Sequence, residues 1–131
     1  MTGSVVALDT NVVVALLNGD PKIISWLASF PTLCIPIPVV GELLFGAMNS
    51  TRAAENLTRV HKLLGSSRAL DMTVQTANLY AEVRLGLKRK ARPIPENDIW
   101  IAATAIEHGL PLATRDAHFG NVDRIVLLPP P

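Results

Sequence analysis

The chain reads as an α/β domain of three layers, with helices on both faces of a mainly parallel sheet of about five strands. Two observations predict this. Short β-rich runs alternate with helical patterns along the whole length, and acidic residues recur where such a run ends or a helix opens, the place where α/β sheets bind ligands. The 131 residues contain no repeat, low-complexity tract or interdomain linker. They are read as one domain, 1–131, with 129–131 as a frayed tail, long enough to bury about two thirds of its unfolded surface.

The first β-rich run, Ser4 to Leu8, ends at Asp9, and Asn11 to Leu17 then takes up helical spacing. Asp9 therefore falls at a strand-to-helix junction. Asn18-Gly19-Asp20-Pro21 is a turn whose proline opens a second helix through Ser29. Leu33 to Ile37 is a compact apolar strand between prolines, and Pro38 starts the helix that carries Glu42. Val39, Leu43 and Ala47, with Val40 and Leu44, mark its apolar side. Glu42 lies one turn in, where the positive end of the helix dipole favours a carboxylate.

Thr51, with Glu55 nearby, caps a further helix through Leu64 that Gly65-Ser66-Ser67 ends. A brief strand spans Ala69 to Asp71, and Thr73 is the N-cap of a long helix to about Lys88. Lys88, Arg89, Lys90 and Arg92, closed by Pro93 and Pro95, make the one dense basic segment. The next helix begins near Asn97, with Asp98 in its first turn, Ile99, Ala102, Ala103 and Ile106 at core spacing, and His108-Gly109 as its stop. Leu110 to Thr114 is a strand delivering Asp116 in a loop, and Ile125 to Leu128 is the last strand.

Asp9 and Asp116 thus follow strands while Glu42 and Asp98 sit early in helices, so all four can meet at one sheet edge. Two carboxylates about 5 Å apart repel by roughly 3 kcal/mol at an effective dielectric near 20, and four together need a cation. Oxygen ligands of this kind suit Mg²⁺ or Mn²⁺. Lys and Arg number 12 against 11 Asp and Glu. With four of those acids gathered in one pocket the remaining body is positive, which suits a metal site that receives a polyanion.

Cys34 is the only cysteine, which excludes an internal disulfide and a Cys-based zinc site and points to the cytosol. The apolar stretch from Val5 to Leu17 is broken by Asp9, Thr10 and Asn11 and is too short to span a membrane, so neither export nor anchoring is expected. Phosphate-binding, dinucleotide and serine-hydrolase motifs are missing. A haloacid-dehalogenase-like phosphatase also opens with an apolar strand and Asp, but it needs a second acid two residues on, and position 11 is Asn.

Four blocks together resemble the PIN-domain nucleases, and most closely the VapC-type toxins of toxin–antitoxin pairs. They are Leu8-Asp9-Thr10-Asn11, Glu42-Leu43-Leu44-Phe45-Gly46, Asn97 to Ala103, and Thr114-Arg115-Asp116-Ala117-His118-Phe119, within a match from about Val5 to Leu128. The resemblance implies strand order 3-2-1-4-5, Mg²⁺- or Mn²⁺-dependent endoribonuclease activity, and a cognate antitoxin whose C-terminal segment blocks the pocket. It makes Asp9 and Asp98 the principal metal ligands, with Glu42 and Asp116 completing the set directly or through water. It also makes Phe45 and the apolar helix positions from Val39 to Leu64 candidates for contact with an antitoxin or a second copy in a homodimer or larger assembly.

Metal-assisted hydrolysis leaves 5′ phosphate and 3′ hydroxyl ends. Cleavage through the ribose 2′ hydroxyl calls instead for an acid/base couple, and His61, His108 and His118 form none recognisable in sequence. His118, beside Asp116, reads as a loop residue, with reach to a phosphate as the alternative. Thr10, Asn11 and Thr114 carry donors that could orient the carboxylates or a phosphate. Lys88, Arg89, Lys90 and Arg92 are either RNA contacts or a solvated helix end. Trp26 and Trp100 lie in apolar helical patterns and are read as packing residues. The alternative to catalysis is a module that keeps this fold and binds RNA or protein without cutting.

Overall fold

The computed structural model describes residues 5–131, so the strand start expected at Ser4 lies outside the described residues. Five strands, β1 (Val5–Leu8), β2 (Thr32–Pro36), β3 (Arg68–Leu70), β4 (Leu112–Ala113) and β5 (Leu127–Leu128), form one sheet in the order β3-β2-β1-β4-β5. Every pairing is parallel. Around the sheet lie six helices: α1 (Thr10–Leu17), α2 (Pro21–Leu27), α3 (Ile37–Met48), α4 (Ala53–Gly65), α5 (Val74–Arg89) and α6 (Glu96–Glu107). A 3₁₀ turn, Ala117–Asn121, links β4 to β5.

β1 is central, and Val6, Ala7 and Leu8 are completely buried, as a strand covered on both faces must be. From β1 the chain steps outward through β2 to β3, then returns to lay β4 on the other side of β1. The β1–β4 boundary is thus the topological switch point, and the crevice beyond the strand ends there is the natural ligand site. α6 carries Ile101, Ala102, Ala103, Thr104 and Ala105 fully buried, its alanines permitting close packing, and Thr104 satisfies its hydroxyl on the Trp100 carbonyl at 2.7 Å. Val39, Leu43 and Ala47 are buried along α3, as their spacing predicts.

Caps decide several boundaries. Asp20 accepts from the Lys22 and Ile23 amides to open α2, and Thr73 opens α5 with a reciprocal capping box through Thr76. α6 stops where Gly109 turns left-handed at φ +65° after the His108 cap. The cap expected of Thr51 does not form: Arg52 occupies the N-cap without a side-chain bond, and Glu55 faces Arg52 at 3.7 Å. α2 ends at Leu27 rather than Ser29, whose hydroxyl bonds back to the Trp26 carbonyl at 2.7 Å and competes with a further turn.

The last two strands are shorter than the apolar runs that announce them. Pro111 has no N–H to give the ladder, although its carbonyl still accepts from the Ala7 amide at 2.9 Å. At the far end, where fraying is expected, the Pro131 carbonyl takes a hydrogen bond from Arg115 at 3.0 Å. Among the described residues no helix is long and apolar enough to cross a membrane.

Candidate metal centre

Asp9 ends β1 and caps α1, and the strand register fixes what stands beside it. Leu8 pairs with Ala113, and the Asp9 amide donates to the Ala113 carbonyl at 2.9 Å. Thr114, one residue beyond that pairing, donates its hydroxyl to Asp9 Oδ2 at 2.7 Å. Asn11 Nδ2 reaches the same oxygen at 3.2 Å, and the Thr10 amide donates to Oδ1 at 2.8 Å. Asp9 is 2% exposed. Burial outweighs these bonds and, with Asp98 and Asp116 adding repulsion, pushes its carboxyl up to about 6.

Glu42 reaches the site from α3, which follows directly on the end of β2. Its Oε1 accepts from Thr10 Oγ1 at 2.9 Å and from Asn97 Nδ2 at 2.6 Å. Thr10 therefore bonds with its amide to one acid and with its hydroxyl to another. Asp98, in the first turn of α6, faces His118 Nε2 at 2.8 Å through Oδ2. Burial raises its carboxyl above the usual range, with Glu42 and Asp116 pushing the same way and His118 opposing. Asp116 is exposed, and its amide donates to Thr114 Oγ1 at 3.0 Å. One ligand atom from each of Asp98, Asp116 and His118 lies within 4.8 Å of the other two.

The acids are linked in one region: Thr10 bridges Asp9 and Glu42, Thr114 bridges Asp9 and Asp116, and Asp98 meets the charges of Asp9, Glu42 and Asp116. The set whose ligand atoms lie within 4.8 Å of one another is Asp98, Asp116 and His118, and Asn11 also hydrogen-bonds Asp9. Asn11 does so while also accepting the Arg115 amide at 3.2 Å. Two contacts escape a reading of the sequence. Asn97 looks like an ordinary helix-start residue, because Glu42, the acid it holds, lies 55 positions away. His118 reads as a loop residue; the 3₁₀ turn, anchored by fully buried Phe119, instead aims it at Asp98.

Of the basic segment, Lys90 donates to Asp123 Oδ1 at 2.6 Å and to the Asn121 carbonyl at 2.9 Å. The bonds tie the loop after α5 to the segment just past the His118 turn. Ala91 and Arg124, next to the two ends of this tie, are both left-handed, at φ +56° and +70°. Lys88, Arg89 and Arg92 are exposed and make no ion pair among the described residues. Trp26 packs edge-on against Phe30, and Trp100 stacks on Tyr80 with centroids 3.9 Å apart, so both tryptophans are engaged in packing.

Residues 6–125 match the PIN domain. The chain belongs to the PIN-domain family. It is 30% identical over 113 residues to ribonuclease VapC1 of Haemophilus influenzae, covering 83% of this chain and 84% of that one. It is also 30% identical over 111 residues to the tRNA(fMet)-specific endonuclease VapC of Salmonella typhimurium, with shares of 83% and 84%. Among solved structures, VapBC2 of Rickettsia felis bound to a promoter DNA fragment superposes with a TM-score of 0.89 at 26% identity, over 95% of this chain and 97% of that one. Within the PIN-domain family the chain is of the VapC type, and the parallel sheet in order 3-2-1-4-5 is the one that the sequence resemblance implies.

Proposed function

We propose that this PIN domain is the endoribonuclease toxin of a toxin–antitoxin pair, using Mg²⁺ or Mn²⁺ held by Asp9, Glu42, Asp98 and Asp116. The observation that carries the reading is geometric: ligand atoms of Asp98, Asp116 and His118 lie within 4.8 Å of one another, beside an Asp9 whose carboxyl burial chiefly, and Asp98 and Asp116 in addition, push up to about 6. The donor set fits a hard divalent ion, since carboxylate oxygens dominate it and Asp116 leaves an open, exposed side for substrate. When bound, such an ion supplies Lewis-acid stabilisation of the phosphodiester and lowers the pKa of water.

The protein's own residues supply the rest. Thr114, Asn11 and the Thr10 amide fix the Asp9 carboxylate, leaving it little freedom to rotate. Asn97 and Thr10 hold Glu42 from two elements at once. Rigid carboxylates turn a crowded pocket into a preformed one, so little reorganisation is needed when the RNA backbone arrives. Lys88, Arg89 and Arg92 offer charge to phosphates, in a segment that leads into the helix carrying Asp98.

The relatives' VapC names and the VapBC2 structure support an antitoxin as partner. A groove of about 270 Å³ beside Glu42, lined by Val14, Leu17, Leu43 and Val60, with exposed Phe45 and Met48 on α3, offers an apolar seat for its segment. Cytosol is the expected compartment, and a homodimer the expected state.

The test is cleavage of a labelled single-stranded RNA with Mg²⁺, with EDTA, and with the Asp9→Asn and Asp98→Asn variants. Cutting that needs the metal and both acids is expected, leaving 5′ phosphate ends. Folded variants that cut as fast as the unaltered protein would remove the mechanism and leave a binding module.

A further inference from the structure

We propose that His118 is itself a ligand of the active-site cation, joining Asp98 and Asp116, and that its nitrogen tilts the site away from Mg²⁺ toward Mn²⁺. The inference rests on the metal-dependent reading above and names which ion that reading implies.

Four facts carry it. His118 Nε2 stands 2.8 Å from Asp98 Oδ2. Neighbouring ligands of an octahedral ion, each about 2.1 Å from it, are about 3 Å apart, so the two atoms are already spaced as adjacent corners of one coordination shell. The ligand atoms of Asp98, Asp116 and His118 all lie within 4.8 Å of one another, which leaves room for one ion among them. His118 is also held in place from behind, because Phe119, the next residue, is completely buried. The imidazole is 32% exposed, so an ion and its waters can approach.

Asp9 differs in kind. Both its oxygens already accept hydrogen bonds, one from Thr10 and the other from Asn11 and Thr114. It is the buried wall of the site, while Asp98, Asp116 and His118 form the open rim. Imidazole is a good ligand for transition ions and a poor one for Mg²⁺, which prefers oxygen throughout. The other histidines are placed elsewhere: His61 is exposed on α4, and His108 Nε2 engages the Asp71 carbonyl at 3.1 Å.

The experiment is Mn²⁺ titration of the full chain, followed by pulsed electron paramagnetic resonance of the bound ion, with Mg²⁺ competition giving the affinity ratio. Strong ¹⁴N coupling from a bound imidazole is expected, and it should vanish in His118→Gln. That variant should lose about tenfold in Mn²⁺ affinity or more, and clearly less in Mg²⁺ affinity. Bound Mn²⁺ without imidazole coupling, or equal losses for both ions, would overturn the inference; it would make His118 a residue that only orients Asp98 and leave the nuclease reading intact. Binding of Mg²⁺ without Mn²⁺ also overturns the inference alone, whereas failure of the unaltered chain to bind either ion, or unchanged binding in Asp98→Asn, sinks both. Should His118→Gln fold poorly, the spectrum of the unaltered chain decides alone.

Discussion

Thr114 donates its hydroxyl hydrogen to Asp9 at 2.7 Å across 105 residues of chain, and the same oxygen accepts the Asp116 amide at 3.0 Å. One small side chain therefore sets two of the four acids. Thr114→Val keeps the shape and removes both bonds. It should cost about 1–3 kcal/mol, because a buried carboxylate loses a donor, and should lower kcat about tenfold or more. Thr114→Ser should restore most of both. Thermal melts and single-turnover cleavage check this; a valine variant as active as the original would show that the bond holds nothing catalytic.

The Asp9 carboxyl titrates near 6 in the folded chain against an ordinary value of 3.8. Between those values the metal-free folded chain binds the proton more tightly than the unfolded one. The group's contribution to stability is therefore full below pH 3.8 and is lost as pH rises through 6, an effect of about 3 kcal/mol at most. In EDTA, Asp9→Asn should melt higher than the unaltered chain at pH 7.5, and the gap should close toward pH 4.5. Mg²⁺ should raise the unaltered chain's Tm at pH 7.5 and do so less at pH 5.5, where the proton competes for the same carboxylate. A gap that does not move with pH removes Asp9 as its source.

Asn97 reaches Glu42 at 2.6 Å on an exposed part of the site. Asn97→Ala should leave stability within about 0.5 kcal/mol and lower kcat about tenfold, with KM little changed. Loss of fold instead of turnover would make the contact structural.

The basic segment divides into two kinds of residue. Lys88→Ala, Arg89→Ala or Arg92→Ala should each weaken RNA binding and flatten its logarithmic salt dependence by about 0.7. Lys90→Ala should leave that slope in place and reduce turnover, since its bonds to Asp123 and the Asn121 carbonyl hold the loop beyond His118. Its stability cost should be under about 1 kcal/mol, as for other half-exposed ion pairs. Filter binding across salt concentrations separates the two.

The alternation of strands and helices and the positions of Asp9, Glu42, Asp98 and Asp116 were legible because each is a local signal: an apolar run, a turn, an acid at its end. The strand order needed the family resemblance, since order is set by contacts between distant segments. Boundaries moved where side chains compete with the backbone, as at Ser29, and where proline has nothing to donate, as at Pro111. Asn97 and His118 were hidden for a related reason. A residue that acts on a partner 20 or 55 positions away leaves no local pattern.

The pairing of β1 with β4 has a bearing on how the protein is made. In a chain still emerging from the ribosome Asp9 precedes its hydroxyl partner, Thr114, and the fourth acid, Asp116, by more than a hundred residues, and both follow β4, the strand that pairs beside β1. A translation product halted before Leu112 therefore carries an unfinished sheet and three of the four acids, with neither the Thr114 hydroxyl on Asp9 nor Asp116 in place.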